Sequence, residues 1–453
     1  MYLTDRSGPA QTDTEQGRRR VPGRRVAPVV FVLGTVSLIT DISSEMVTAV
    51  LPLYLVTTLG FTPLAFGTLD GVYNGVSALV QLTGGHVADR VRNHKLMAGL
   101  GYGLSALCKP LLLLASSIAT LGTVLALDRT GKGLRTAPRD AMISLSTPSE
   151  KQGRAFGVHR AMDTTGAMLG PLAAFLILRA AADGYDAVFG VSACVAVLGV
   201  LVLVLFVPAR GRVTRPNQAS NKPSDEAGTA NSTPPVRVRD AVALLRLPRL
   251  RALAGCAALL GLTTVSDAFV YLLLQRRAGI ADEWFPLLPL GTAAVFLLLA
   301  VPVGALADRV GRRIVFLTGH MGLLTAYALL LWAPATPALP FLVLALHGMF
   351  YAATDGVLPA ALADIVPEQL RATGLAIVGT SQALARFCCS LSFGAAWTLW
   401  GDSAALAGSA VGLLCCAAVA GIVLRPRDPR DPRDPMTTTA TTDTTDTTPQ
   451  GSG

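Results

Sequence analysis

The sequence predicts an all-α membrane protein with twelve transmembrane helices in two pseudosymmetric six-helix bundles. Three observations lead there. The 453 residues are 51% hydrophobic and 15% charged, with a mean hydropathy of +0.51. An ordinary globular domain carries about 25% charge, so this chain is too poor in charge to cover a soluble surface of its size. Twelve apolar runs reach the roughly 20 residues that a helix needs to cross a bilayer. Finally, matching glycine and charge signals recur in the two halves at a nearly constant offset.

Residues 1–27 are polar and basic and are expected to form a disordered tail. Runs at 28–58, 63–88, 96–117, 119–145, 155–180 and 187–208 make the first bundle, 28–208. The stretch 209–248 is rich in Pro, Ser, Asn and Arg and reads as a linker. Runs at 251–275, 284–306, 314–333, 338–365, 374–399 and 403–424 make the second bundle, 249–424. Thr62-Pro63, Pro334 and Pro337 punctuate two turns. Asp-Pro-Arg repeats at 428–435 and a Thr-rich run to 448 mark 425–453 as a second disordered tail.

Twelve spans leave both termini on one side, and the basic residues choose it. With the N-terminus cytoplasmic, 28 of the 38 Lys and Arg lie in cytoplasmic segments, and only Arg179, Arg276 and Arg277 lie outside. That distribution accounts for the net charge of +9 without a nucleic-acid partner. Arg outnumbers Lys 33 to 5, which hints at a GC-rich bacterium and hence at the inner membrane. The basic residues before the first run look like a signal peptide, but the run continues through Asp41 and Glu45 as a full span. The seven cysteines all fall in apolar runs without metal-site spacing. No metal and no cofactor are expected.

The halves repeat each other. Gly85-x-x-x-Asp89-Arg90 recurs as Gly304-x-x-x-Asp308-Arg309, an offset of 219, and Arg154-Ala-Phe-Gly157 recurs as Arg371-Ala-Thr-Gly374, an offset of 217. Two related six-helix halves suit a transporter with its site between them at the midplane.

These residues resemble the major facilitator superfamily over about 28–424. The loop GGHVADRVRNHK (84–95) is similar to the family's first signature, and VGALADRVGRR (303–313) to its second-half copy. The resemblance implies that Asp89, with Arg90, pins helix 2 to helix 11, and that Asp308 has the matching role. In the first copy Arg92 and Asn93 stand where a glycine followed by basic residues is usual; asparagine tolerates left-handed backbone. Leu125-x-x-x-Arg129-x-x-x-Gly133 resembles the family's helix 4 arginine motif, linked there to proton transfer. Gly166-x-x-x-Gly170-Pro171 looks like the helix 5 signature of proton-driven exporters, though small residues spaced by four also let any helix pair pack closely.

A charge at the centre of a spanning helix costs about 2.5–3.5 kcal/mol on insertion scales, yet this chain keeps many. On helix 4, Asp128, Lys132, Arg135 and Arg139 share one face, with Arg129 and Asp140 beside it. Pro138 is expected to kink that helix. Helix 1 carries Asp41 and Glu45 one turn apart; helix 2 carries Asp70 and Asn74. Lys109 lies on helix 3, and His159, Arg160 and Asp163 on helix 5. The second half adds Asp267, His347, Asp355 and Arg386. His86, His94 and His320 are expected at loop edges, and Tyr54, Tyr73 and Tyr271 could line a cavity.

Two readings of this set stay open. Either acids neutralise bases between helices 1, 2, 4 and 5, or the groups line a polar cavity with a titrating carboxylate. Two carboxylates as close as Asp41 and Glu45 cannot both ionise readily in low dielectric. They are therefore candidates for proton coupling, with Arg129 modulating them. Asp70, Asn74, Lys109, Asp128, Lys132, Arg135, Asp163, Asp267, Asp355 and Arg386 are candidates for a substrate cavity. Lys132 and Arg135 would form an anion patch if free, and a structural pair if neutralised by Asp128 and Asp163.

The expected function is proton-coupled efflux of a small molecule by alternating access, by a monomer in the lipid bilayer. The alternatives are proton-coupled uptake or exchange of an organic anion or phosphorylated metabolite, and a sensor that binds without transporting. No Ser/His/Asp constellation suggests an enzyme.

Overall fold

A computed structural model describes residues 27–90, 93–148, 152–207, 247–355 and 371–424, with 357, 362 and 366 besides. The side chains of 77–79, 81–90, 371–373, 375 and 376 are not among those described. Both tails and the linker expected at 209–248 lie almost wholly outside the described residues.

The described residues form thirteen helices and no strand. In the first half these are α1 (Pro28–Leu53, extended by a π-helical turn Tyr54–Thr58), α2 (Pro63–Arg90), α3 (His94–Leu114), α4 (Ile118–Leu145), α5 (Gln152–Ala180) and α6 (Gly184–Phe206). The second half holds α7 (Pro248–Gly261), α8 (Asp267–Ala278), α9 (Leu287–Val310), α10 (Arg312–Trp332), α11 (Leu339–Thr354), α12 (Arg371–Trp400) and α13 (Asp402–Val423). Seven helices, the π turn and a 3-10 turn included, are long and apolar enough to cross a membrane by composition alone. The long helices α2, α4 and α12 lie outside that set; their glycines and polar residues dilute the apolar signal. Leu64, Leu127 and Leu384 on these helices are exposed, as are Leu205 of α6 and Val301 of α9.

The thirteenth helix arises because the run at 251–275, expected as one helix, is broken. Between α7 and α8 lies Leu262–Ser266, where consecutive β-branched residues interrupt the ladder. Backbone freed inside a bilayer must find partners, and here it does. Thr263 and Thr264 hydroxyls donate to Leu260 O, Val265 N–H donates to the Tyr327 hydroxyl at 2.8 Å, and Cys389 Sγ donates to Thr264 O. Asp267 opens α8, where the positive end of the helix dipole favours a carboxylate.

Glycines set the closest helix approaches. A Cβ on Gly166 would lie 2.5 Å from Leu38 O, and one on Gly170 would lie 2.8 Å from Glu45 Cβ, so α5 packs directly on α1. Gly101 and Gly131 bring α3 and α4 together in the same way. Such small-residue contacts suit a bilayer, where association relies on van der Waals fit.

The two halves meet at the end remote from the chain termini. There Gly67 and Gly394 let α2 and α12 touch, Leu64 N–H donates to Thr398 at 3.0 Å, and Arg179 faces Glu283 at 3.9 Å. Phe66 packs edge-on against Phe269 and Phe175 against Trp284. These contacts close that end.

Local expectations met mixed outcomes. Helix α4 runs unbroken through Pro138 and starts with a capping box between Ser117 and Thr120. Asn93 is not left-handed: with φ −111° it caps α3, its side chain accepting from Leu96 N–H. In the second copy Gly311 does adopt positive φ, +106°, between α9 and α10. His320 is buried within α10, not at a loop edge, because its Nδ1 bonds Phe316 O one turn back.

Candidate functional site

The sequence put acids and bases on facing helices, and the packing zips them together. Helices α1 and α4 run antiparallel, so residues ascending one meet residues descending the other. Arg135 Nη2 lies 3.2 Å from Asp41 Oδ1, and Lys132 Nζ lies 3.3 Å from Glu45 Oε1. Farther along α4, Asp128 Oδ1 accepts from Lys109 at 3.0 Å and from Ser105, while its Oδ2 accepts from Arg129 at 2.6 Å. Arg139 contacts Asp140 at 3.0 Å and Asp163 at 3.5 Å. Arg129 lies over the Tyr73 ring at 4.2 Å and Arg135 over Tyr102 at 4.6 Å.

Five cations, Lys109, Arg129, Lys132, Arg135 and Arg139, thus meet five carboxylates, Asp41, Glu45, Asp128, Asp140 and Asp163. The balance leaves no surplus positive charge in this network. Lys132 and Arg135 are matched by Glu45 and Asp41, not by Asp128 and Asp163. Arg129 is matched by Asp128 and reaches neither Asp41 nor Glu45 directly. Asp41 and Arg135 are sealed from solvent, while the side chains of Lys132 and Glu45 keep 37% and 25% of their surface exposed.

Between the halves lies a cavity of about 360 Å³. Glu45, Asp70, Tyr73 and Asn74 line it from the first half, with Pro171. The second half supplies residues 264–268 at the end of the helix break and the start of α8, with Tyr271, Phe285, Thr292, Phe296, Tyr351, Asp355 and Arg386. Of the cavity candidates, Lys109, Asp128, Lys132, Arg135 and Asp163 stand behind this wall in the ion-pair network. Tyr73 and Tyr271 line it; Tyr54 packs against Tyr185 and Phe189 instead.

The wall has its own links. Asp70 accepts from Ser390 of α12 at 2.5 Å, which bridges the halves, and Asn74 folds back onto Asp70 O. Tyr351 donates to Asp267 Oδ1 at 2.6 Å. His347 Nε2 stands 3.2 Å from the same oxygen without hydrogen-bond alignment. Arg386 lines the same wall as Asp267, Asp355 and Tyr351. Ser390, Tyr351, Phe285 and Thr292 were not among the sequence candidates: a lone hydroxyl or ring on an apolar helix carries no signal until its neighbours are known.

The gating candidates fall as follows. Gly85, Asp89 and Arg90 lie on the last turns of α2, their side chains outside the described set. A Cβ on Gly304 would meet nothing within 4 Å, and Asp308 faces Arg312 of the following helix at 3.7 Å. Arg309 is exposed. Gly166, Gly170 and Pro171 form the close seam of α5 on α1.

Known proteins share this architecture and sequence. The family profile "Major Facilitator Superfamily" matches residues 33–297 and 287–446. The uncharacterized MFS-type transporter MJ1317 of Methanocaldococcus jannaschii is 30% identical over 402 residues, covering 86% of this chain and 94% of that protein. The uncharacterized protein Rv2265 of Mycobacterium tuberculosis is 30% identical over 194 residues, 43% of this chain and 46% of that protein. Among solved structures, the nucleoside transporter NupG superposes with a TM-score of 0.72 at 12% identity, over 88% of this chain and all of that one. A bacterial homologue of the human lysosomal transporter Spinster, inward-facing and unoccupied, gives 0.70 at 15% identity, over 87% and 96%. Profile, relative and fold agree: this chain is a membrane transporter belonging to the major facilitator superfamily.

Proposed function

We propose that this chain exports a small organic cation across the bacterial cytoplasmic membrane in exchange for protons, acting as a monomer with both termini cytoplasmic. One observation carries the reading. Among the described residues the cavity wall holds Asp70, Asp267 and Asp355, besides the Lys132-paired Glu45, against one cation, Arg386. A ligand entering such a site gains from positive charge, and a desolvated like charge is disfavoured.

The same count weighs against uptake or exchange of an organic anion. Each α4 cation that would bind it already has an acid partner, Asp128 being shared between Arg129 and Lys109. Discontinuous helices often aim a positive half-helix end at an anionic group; here Asp267 already occupies that end of α8.

For protons, Glu45 is the better carrier of the two helix 1 acids. It lines the cavity and pairs with a half-exposed lysine, whereas Asp41 is sealed against Arg135. A proton arriving at Glu45 frees Lys132, and that added positive charge beside the cavity expels a bound cation. Exchange of one for the other follows from their competition for the same negative wall. The basic residues gathered in segments on the side of the termini support the orientation.

The test uses purified protein in liposomes loaded with a pH-sensitive dye. Tetraethylammonium, benzoate and glucose 6-phosphate are added in turn. The reading expects proton movement with the cation alone, abolished by Asp267→Asn and by Glu45→Gln. Proton movement driven by the anions, and lost in Arg386→Gln, would reverse it.

A further inference from the structure

A second chamber opens inside the C-terminal half. It measures about 220 Å³ and shares Thr264, Asp355 and Arg386 with the central cavity, so the two are neighbours across one wall. Beyond that wall its lining is mostly apolar, with Leu260, Phe316, Phe350 and Val378. Rings cluster there: Phe316 lies 4.6 Å from His320, and Phe350 meets the imidazole edge-on at 5.2 Å. His320 Nδ1 bonds Phe316 O at 2.8 Å. A carbonyl accepts only from N–H, so that nitrogen carries the proton and Nε2 is left as an acceptor.

An independent observation concerns Gly379. It lies inside α12, where glycine costs roughly 0.5–1 kcal/mol relative to alanine. Among the described residues no close helix approach explains it, because a Cβ built there meets nothing within 4 Å. It lines the chamber. The missing side chain keeps the space open.

We propose that this chamber receives the apolar, aromatic end of the transported cation, while the charged centre stays among Asp267, Asp355 and the other carboxylates of the central cavity. The proposal rests on the reading of the substrate as a cation. Size agrees: an apolar cavity of about 150 Å³ holds a benzene ring, so the chamber takes a ring with a short linker. Chemistry agrees as well, since ring faces and edges prefer the offset and edge-on contacts that Phe316, His320 and Phe350 offer. Acceptors on the lining, His320 Nε2 with Thr354 and Gln382, favour a ring bearing a hydrogen-bond donor. The favoured substrate is therefore an elongated arylalkyl ammonium, a compact ammonium ion using the central cavity alone, and the chamber sets the length preference.

The experiment compares tetramethylammonium with 4-phenylbutyl-trimethylammonium in the dye-loaded liposomes, for wild type, Gly379→Ala and Gly379→Leu. The leucine variant is expected to raise the KM for the aryl cation at least tenfold while leaving tetramethylammonium exchange unchanged, which also reports correct folding. Gly379→Ala should fall between. An unchanged aryl KM, or an equal partial loss for both cations, overturns the chamber assignment and leaves cation export standing. If Gly379→Leu is inert with both, the alanine variant decides by the same criterion. Absence of proton exchange with either cation in wild type overturns both readings.

Discussion

Arg135 of α4 reaches Asp41 of α1 at 3.2 Å, with both side chains closed off from solvent. The pair holds the two helices that also carry the part-exposed Lys132–Glu45 pair. Removing one member leaves the other charged and buried, which costs about 3–5 kcal/mol. Asp41→Asn should therefore lower the melting temperature in detergent by many degrees. The double variant Asp41→Asn/Arg135→Gln should recover most of that loss. Equal melting of the single variant and the wild type would show the pair to be dispensable.

Glu45→Gln should behave differently. Its partner Lys132 is part-exposed, so the structural cost stays under about 1 kcal/mol. Cation binding should persist while proton exchange disappears, which is read by comparing binding isotherms with dye traces. Preserved proton exchange would move the coupling site elsewhere.

Tyr351→Phe removes the 2.6 Å hydrogen bond to Asp267. A hydrogen bond to a charged group is worth about 1.5–3 kcal/mol, so cation affinity should change by at least tenfold while the fold melts nearly as before. Isothermal titration of the two proteins measures this directly.

Gly170→Leu places a branched side chain where even a Cβ would lie 2.8 Å from Glu45 Cβ. Helix α1 must shift, and overpacking of this kind costs typically 1–3 kcal/mol. The variant should melt lower and lose transport. Gly379→Leu, with open space around it, should melt like the wild type. Identical melting of both leucine variants would contradict the difference in packing.

Ser390→Ala breaks the bridge from α12 to Asp70, one of the contacts that close the remote end. Distances between spin labels at Thr62 and Leu399 should broaden toward longer values by electron–electron resonance. A distribution matching the wild type would assign closure to the Leu64–Thr398, Arg179–Glu283 and aromatic contacts instead.

The residues by themselves determined the span count, the division into halves and the gathering of charge on the inner faces of α1, α2 and α4. Those follow from hydropathy and from the helical period, which are properties of one segment at a time. Only the tertiary structure decided who meets whom. That Asp41 takes Arg135 and Glu45 takes Lys132, with Asp128 serving Lys109 and Arg129, depends on the antiparallel register of α1 and α4 and on glycines that bring α3 and α5 close. The break at Leu262–Ser266 was hidden for a related reason: its residues are apolar or small, so hydropathy reads straight through it, and its backbone is satisfied by Tyr327 and Cys389 from distant helices. The acidic character of the cavity emerges at the same level, because the helix 4 cations, conspicuous in the sequence, are turned away from it by their partners.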